Sequence, residues 1–253
     1  MKTGQLAEKL VPWIRDKVLA AGCKGVVVGL SGGLDSSVLA VLCQRAFPQN
    51  TLGVLMPCYS CQEDGEHAKA LVSKFSIPTK IVNLDTVFNT LVKVLPDDIV
   101  EPTASQLAEA NLKVRLRMLT LYYFANQLKY MVAGSGNKSE LSVGYFTKYG
   151  DGGVDILPLG NLVKGQVREL ANFLGIPQQI IDKPPSAGLW QGQTDERELG
   201  FNYEELDRYL VAGKASTERR EKIESMIAAS DHKRLPPPVA NFSGSTTLLG
   251  DRS

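Results

Sequence analysis

The chain has 253 residues and 43% hydrophobic content, enough for one large α/β domain or two small domains, so a disordered tail protein is excluded. Its formal net charge is +1, and no strong overall field therefore selects a nucleic acid or another polyanion. The N-terminus lacks the apolar stretch of a signal peptide, and nowhere do 18 consecutive apolar residues occur. These features predict a soluble, cytoplasmic protein with no membrane partner, and its four cysteines are expected to be reduced thiols.

Short β-rich runs alternate with helical patterns in the first third of the chain. The runs cover residues 25–30, 51–56 and 79–84, and helical patterns at 36–47 and 63–75 separate them. Continuous apolar runs suit strands that are buried on both faces, and a strand, helix, strand order gives right-handed parallel connections. We therefore predict a doubly wound α/β fold, with about five parallel strands and helices on both faces.

A fourth strand is predicted at 130–133, after the longest helical segment at 105–129. This helix has apolar residues on more than one side, so it needs two covers, its own sheet and something else such as another subunit.

The second half of the chain is less regular. Residues 134–162 are rich in Gly, Ser, Asn and Asp, which is typical of a functional loop. Helices are predicted at 163–174, 203–210 and 217–230, and the tail at 232–253 lacks periodicity and is expected to be irregular. We expect a single domain over residues 1–253.

A glycine-rich turn, SGGLDSS at residues 31–37, lies between the first strand and a helix. In this arrangement backbone N–H groups and the helix dipole face an anion, and serine hydroxyls add donors. An ordinary turn with an Asp or Ser N-cap is the alternative, but it needs neither two glycines nor three serines. No lysine follows Gly33, which disfavours a Walker A loop. Asp35 would repel phosphate unless a metal lay between them, so it is a candidate Mg²⁺ ligand.

This loop resembles the pyrophosphate loop of the N-type ATP pyrophosphatases, which cleave ATP between the α- and β-phosphates and transfer AMP to an acceptor. Residues 134–155, GSGNKSELSVGYFTKYGDGGVD, resemble a segment of the NAD synthetases, which amidate deamido-NAD with ATP and an ammonia source. Further similar segments extend the resemblance from about residue 6 to 238; they lie at 111–117, 183–190, 193–200 and 232–234. The resemblance implies an adenine nucleotide α-hydrolase-like fold.

The resemblance also implies site residues. Asp35 and Glu140 would hold Mg²⁺, Lys164 would contact ATP as a point charge, and Asp151 is a candidate for handling the proton of ammonium. The implied ATP contacts are Gly29, Leu30, Ser31, Gly32, Gly33, Leu34, Asp35, Ser36, Ser37, Ser135, Lys164 and Ser186. The implied deamido-NAD contacts are Arg115, Lys148, Asp155, His232 and Lys233. The family builds its substrate site at a two-fold interface, so a homodimer is expected.

Some positions depart from the family pattern or leave alternatives open. Ser135 and Ser186 stand where the family usually has Thr, and Gly188 stands where Asp or Asn is common. Arg115 and Arg117 point about 200° apart on a helix, so only one can line a given site, and the resemblance selects Arg115.

Two short motifs resemble functional patterns, but they are not expected to have the functions that those patterns indicate. Cys58 and Cys61 have redox or metal spacing but no further cysteine pair, so a loop role is favoured. Gly134-Ser-Gly136 resembles the start of the dinucleotide-binding pattern G-x-G-x-x-G. Because Ser139 occupies the position of the third glycine, the run is not interpreted as that pattern.

The similar segments use nearly all of the chain, which leaves no space for a glutaminase domain, and free ammonia is therefore the expected nitrogen source. The glycine-rich segments 144–153 and 184–194 are candidate lids. A tRNA thiolase or GMP synthetase, and a nucleotide sensor without turnover, are the remaining alternatives.

Overall fold

The computed structural model describes residues 3–96, 102–186, 188, 190 and 192–240. In these residues four parallel strands form one sheet in the order β3-β2-β1-β4. The strands are β1 (Val26–Gly29), β2 (Thr51–Leu55), β3 (Thr79–Ile81) and β4 (Met131–Ala133). The predicted parallel sheet is confirmed with four strands instead of about five. An isolated bridge between Ala133 and Ile156 extends it by one residue pair.

Helices connect and cover the strands. They are α1 (Thr3–Ala20), α2 (Leu34–Ala46), α3 (Gln62–Phe75), α4 (Asp85–Val94), α5 (Pro102–Leu128), α6 (Lys138–Val143), α7 (Lys164–Leu174), α8 (Gln178–Ile181), α9 (Asp195–Leu199), α10 (Tyr203–Ala212), α11 (Thr217–Ala229) and α12 (Asp231–Arg234). None of the helices described is both long and apolar enough to cross a membrane.

Most predicted helices are confirmed with small shifts at their ends. The sequence analysis missed α1, which contains Pro12, and α4. It also read residues 134–162 as one loop, whereas α6 lies inside it, because a six-residue helix is too short to show periodicity.

The tail prediction was wrong at its start. Residues 231–234 form a helical turn, and the guanidinium of Arg234 holds it by donating to the carbonyl oxygens of Ser142 at 3.0 Å and Ile227 at 2.6 Å. Residues 241–253 of the predicted tail lie outside the described residues.

The sheet has a hydrophobic core on each face, which confirms the doubly wound arrangement. On one face α1, α2 and α7 pack together around residues such as Ile14, Leu42 and Leu170. On the other face α4 and α5 pack on the sheet through Phe88 and Leu116. As predicted, α5 carries apolar residues on more than one side: Leu107, Leu119 and Tyr123 remain exposed.

A third, smaller cluster joins α6 to α9, α10 and α11. Its centre contains the fully buried side chains of Leu206 and Ile223. It packs α10 and α11 against α6, and α10 also contacts α7. The helices α6 and α7 carry polar residues of the candidate site described next.

Candidate functional site

The turn between β1 and α2 has a shape that requires glycine. Gly32 has a φ of +80°, and a Cβ atom there would lie 2.2 Å from the backbone oxygen of Asp64. Only glycine tolerates both the left-handed backbone and the close contact. The turn leads into the first turn of α2, where backbone N–H groups have no acceptor within the helix and can bind an anion.

The serine hydroxyls of this turn hold its shape. Those of Ser36 and Ser37 donate to the carbonyl oxygen of Gly33 at 3.1 and 2.7 Å, and the hydroxyl of Ser31 accepts from the Gly33 N–H at 3.2 Å. The sequence analysis expected the hydroxyls as donors to phosphate. In this structure they order the loop, where the Ser31 and Gly33 N–H groups also donate to serine hydroxyl oxygens.

Lys164 joins two carboxylates beside this turn. Its ammonium nitrogen lies 2.5 Å from Asp35 Oδ2 and 3.3 Å from Glu140 Oε1. All three side chains are largely buried, with 7, 14 and 17% exposure for Lys164, Asp35 and Glu140. They come from the starts of α2, α6 and α7. The structure therefore brings together three residues that the resemblance implied.

This cluster shifts the pKa values of its members. Burial disfavours the charged ammonium of Lys164, but the adjacent carboxylates of Asp35 and Glu140 offset this and raise its pKa. Burial, together with the negative charge of Asp35, raises the pKa of Glu140 to about 8. A charge-dense, partly dehydrated group of this kind is typical of functional sites.

Asn137 connects the two carboxylates. It is fully buried and is the N-cap of α6, accepting from the Glu140 N–H at 3.0 Å while its own N–H donates to Glu140 Oε2 at 3.2 Å. Its side-chain amide donates to Asp35 Oδ1 at 2.8 Å. The sequence analysis missed this role, although the N-x-x-E spacing is the signature of a capping box.

The residues fit a magnesium ion. Mg²⁺ is usually held by one or two carboxylates and by substrate phosphates. Asp35 and Glu140 already converge on one cation, the ammonium of Lys164, next to the anion-binding turn. Two carboxylates that face a common cation are the donor set such an ion requires.

An aromatic and acidic network supports this cluster from α9 and α10. The ammonium of Lys164 lies 4.9 Å from the centre of the Tyr203 ring. The Tyr203 hydroxyl donates to Asp195 at 2.9 Å, and the Tyr145 hydroxyl donates to the same carboxylate at 3.1 Å. Burial raises the pKa of Asp195. The segment 193–200 was part of the resemblance, but its sequence gave no sign of these contacts.

Asp207 of α10 fixes the start of α7. Its carboxylate accepts from the Ser139 hydroxyl at 2.5 Å and from the Gly165 N–H at 2.7 Å. The Ser139 hydroxyl in turn accepts from the Lys164 N–H at 3.1 Å. Asp207 therefore holds the backbone that carries the lysine. An acid on a distant helix has no sequence signal for such a role.

The turn and the cluster face one cavity of about 720 Å³. Other residues predicted to contact substrates also line it: Gly29, Leu30, Ser135, Asp151, Ser186 and Lys233. The Asp151 carboxylate accepts from the Thr147 N–H at 2.7 Å. The Ser186 hydroxyl donates to the Gln193 carbonyl oxygen at 2.8 Å. Residues 187, 189 and 191 of the predicted second lid lie outside the described residues.

The predicted deamido-NAD residues fall into separate places. Arg115 is exposed and donates to the carbonyl oxygen of Lys148 at 3.3 Å, and Lys148 Nζ donates to the carbonyl oxygen of His232 at 2.5 Å. These three residues form one cluster. Lys233 lines the cavity and donates to two backbone oxygens, and Asp155 accepts from the Val132 N–H at 2.8 Å.

The two cysteines with motif spacing differ in environment. Cys58 is buried and Cys61 is exposed, and both are free thiols. Across the described part of the chain, no group of three His, Cys, Asp or Glu side chains is arranged to hold a metal ion.

A parallel α/β sheet, a glycine-dependent phosphate turn at the carboxyl end of β1 and a lysine–carboxylate cluster that faces the same cavity define a nucleotide-binding protein. The NAD synthase family model matches residues 6–237. The chain therefore belongs to the NAD synthase family.

Individual relatives match this chain over nearly their whole length. An NH(3)-dependent NAD(+) synthetase from Carboxydothermus hydrogenoformans is 51% identical over 233 residues, which are 92% of this chain and 95% of the relative. Among solved structures, an NMN synthetase from Francisella tularensis has a TM-score of 0.90 and 36% identity, covering 96% of this chain and all of that one. The NH3-dependent NAD synthetase from Campylobacter jejuni has a TM-score of 0.78 and 28% identity, covering 95% of this chain and all of that chain.

Proposed function

We propose that this chain amidates deamido-NAD to NAD with ATP and free ammonia, releasing AMP and pyrophosphate. The observation that carries the proposal is 51% identity, over 95% of its length, to a relative named as an NH(3)-dependent NAD(+) synthetase. The phosphate turn and the Lys164 cluster support it, because they supply an anion site and a buried cation in one cavity.

The chemistry has two steps. The nicotinate carboxylate attacks the α-phosphorus of ATP, and pyrophosphate leaves from an acyl adenylate. Ammonia then attacks the acyl carbon, and AMP leaves as NAD forms. The N–H groups at the start of α2 and the ammonium of Lys164 bind the phosphates and stabilise the charge of the departing pyrophosphate. Asp35 and Glu140 would hold Mg²⁺, which supplies further charge neutralisation when bound.

The second step needs a proton acceptor and protection from water. Asp151 lines the cavity and is the proposed group that takes the proton of ammonium. The segments 144–153 and 184–194 would exclude water from the adenylate.

The deamido-NAD site is proposed to include a partner subunit. Arg115, Lys148 and His232 cluster at an exposed face of α5, and the same helix exposes the apolar side chains of Leu107 and Leu119. A homodimer across α5 would cover the apolar residues and place cations beside an anionic dinucleotide.

A second candidate function is formation of nicotinamide mononucleotide from the corresponding acid. The observation that favours it is the TM-score of 0.90 to a structure described as an NMN synthetase, against 0.78 for the NAD synthetase from Campylobacter jejuni. Both reactions use the same carboxylate chemistry and differ only in how much of the substrate extends beyond it.

One assay tests both candidates. The protein is supplied with ATP, Mg²⁺ and ammonium, and with either deamido-NAD or nicotinic acid mononucleotide. Equal amounts of AMP, pyrophosphate and NAD support the main proposal, and a higher kcat/KM for the mononucleotide supports the second. ADP as a product, or no turnover with either acid, would contradict both. Asp35→Ala is expected to lose turnover even at saturating Mg²⁺, and near wild-type turnover would refute its role.

A further inference from the structure

Arg117, the arginine that the sequence analysis set aside in favour of Arg115, lines the nucleotide cavity. It is partly buried on α5. Its Nε donates to the carbonyl oxygen of Met56 at 3.2 Å, and one Nη donates to the hydroxyl of Ser60 at 3.2 Å. Both acceptors are neutral and lie just beyond β2.

The donors of Arg117 are not all used by the protein. A guanidinium has five N–H donors and no acceptor. Two of them bond to Met56 and Ser60, and among the described residues no carboxylate lies within ion-pair distance of Arg117. The negative charges of Asp151 and Asp64 act on it only from beyond that distance, and burying a cation without a directly bonded anion is costly. Because the residue lines the cavity, the remaining donors are available to an anion that enters it.

The position of Arg117 identifies which part of a nucleotide it meets. Leu121, one helical turn further along α5, and Met56 both lie within 4 Å of the place that a Cβ at Gly29 would take. These side chains make an apolar wall suited to a base, whereas Asp35 and Lys164 form a charged part of the same cavity. Because its Nε donates to the carbonyl oxygen of Met56, the Arg117 guanidinium lies beside this wall. The phosphate nearest the base of ATP is the α-phosphate.

We propose that Arg117 binds the α-phosphate of ATP and keeps hold of the same phosphoryl group in the adenylate and in AMP. This inference rests on the proposed function for the use of ATP. Attack by a carboxylate anion on a phosphate brings two negative charges together, and a guanidinium beside the α-phosphate offsets them. Lys164, with Asp35 and Glu140, acts on the pyrophosphate that leaves. Arg117 acts on the α-phosphoryl group, which is retained in the adenylate.

Binding of AMP and adenosine isolates this role, since the two ligands differ only in the α-phosphate. Affinities are measured by calorimetry for the wild type, Arg117→Met and Ser60→Ala. The wild type is expected to bind AMP about 10- to 100-fold more tightly than adenosine, which is the contribution of hydrogen bonds to a charged group. In Arg117→Met this ratio falls to near one while adenosine affinity is kept.

Ser60→Ala is the matched control. It removes one of the two protein acceptors of Arg117 and leaves the charge in place, so it is expected to keep the wild-type ratio. If Arg117 only fastens the segment after β2, Ser60→Ala and Arg117→Met weaken adenosine and AMP alike, and the proposal is overturned. Arg117→Gln keeps a donor for the Met56 oxygen without the charge, and it is expected to lose the ratio as the Met variant does.

Two further results would overturn the inference. They are a wild type that binds AMP no better than adenosine, and an Arg117→Gln or Arg117→Met protein that retains the full ratio. Because neither ligand requires the amidation reaction, these outcomes are separate from a failure of the proposed function. That failure would show in the turnover assay alone.

Discussion

Replacing Asn137 with Ala tests whether one buried amide holds both carboxylates of the site. The change removes the N-cap of α6, which costs about 1 kcal/mol. It also removes the 2.8 Å hydrogen bond to Asp35, and a bond to a charged group contributes about 1.5–3 kcal/mol. We therefore expect the free energy of unfolding to fall by about 2.5–4 kcal/mol, the sum of these two contributions.

Asn202→Ala is a matched control, because Asn202 forms the same capping box with Glu205 at the start of α10 but is exposed. We expect it to lose only the cap contribution of about 1 kcal/mol. The difference between the two variants in urea unfolding then measures the bond to Asp35. Asn137→Asp retains a capping oxygen but cannot donate to Asp35, so it separates the two functions of the residue.

Activity provides the second measurement. Partners that orient metal-binding carboxylates typically contribute about 10- to 100-fold in affinity or rate, so Asn137→Ala and Asn137→Asp are both expected to need more Mg²⁺ for half-maximal AMP formation. If Asn137→Ala destabilises no more than Asn202→Ala, and Asn137→Asp keeps the wild-type Mg²⁺ dependence, then Asn137 does not orient Asp35.

Three further predictions concern the surroundings of the cluster. The native pKa of Glu140, about 8, lies above its ordinary 4.5; without Mg²⁺ the unfolding free energy should therefore fall as pH rises through this window, by up to about 1.4 kcal/mol per pH unit. Glu140→Gln should flatten that slope in urea unfolding, and an unchanged slope would contradict the assignment. Asp207→Asn should raise the KM for ATP and cost about 1–3 kcal/mol, because one acceptor at the start of α7 is lost; an unaltered KM would exclude its role in placing Lys164. Tyr203→Phe keeps the ring beside Lys164 but leaves Asp195 with one hydroxyl donor fewer, and calorimetry should show a loss of about 1–3 kcal/mol, whereas wild-type stability would show that water replaces the hydroxyl.

The parts of the fold that depend on local pattern were predictable. The apolar runs of β1 and β2 need no partner to be recognised, since strands buried on both faces are apolar along their whole length. The turn at Gly32 was also predictable from local sequence, because its two glycines are adjacent. The helix α6 shows no period over six residues, so only the capping-box spacing of Asn137 and Glu140 could have indicated it.

The site itself required information beyond local pattern. Asp35 and Lys164 are 129 residues apart and Asp35 and Asn137 are 102 apart, and no spacing rule relates positions at such separations. The resemblance supplied Asp35, Glu140 and Lys164, but it did not supply Asn137, whose contribution is a hydrogen bond to another side chain.

The two arginines of α5 show what helical periodicity can and cannot predict. Periodicity correctly separates Arg115 from Arg117 onto opposite sides of the helix, but it does not say which side faces the sheet. That choice depends on the packing of residues four apart, such as Leu121, against β1. Since Leu121 faces Gly29, Arg117 must face the cavity one turn earlier, and Arg115 is turned to the exposed surface. A contact from Arg115 to substrate therefore requires a ligand, or a second subunit, that reaches around this side of α5.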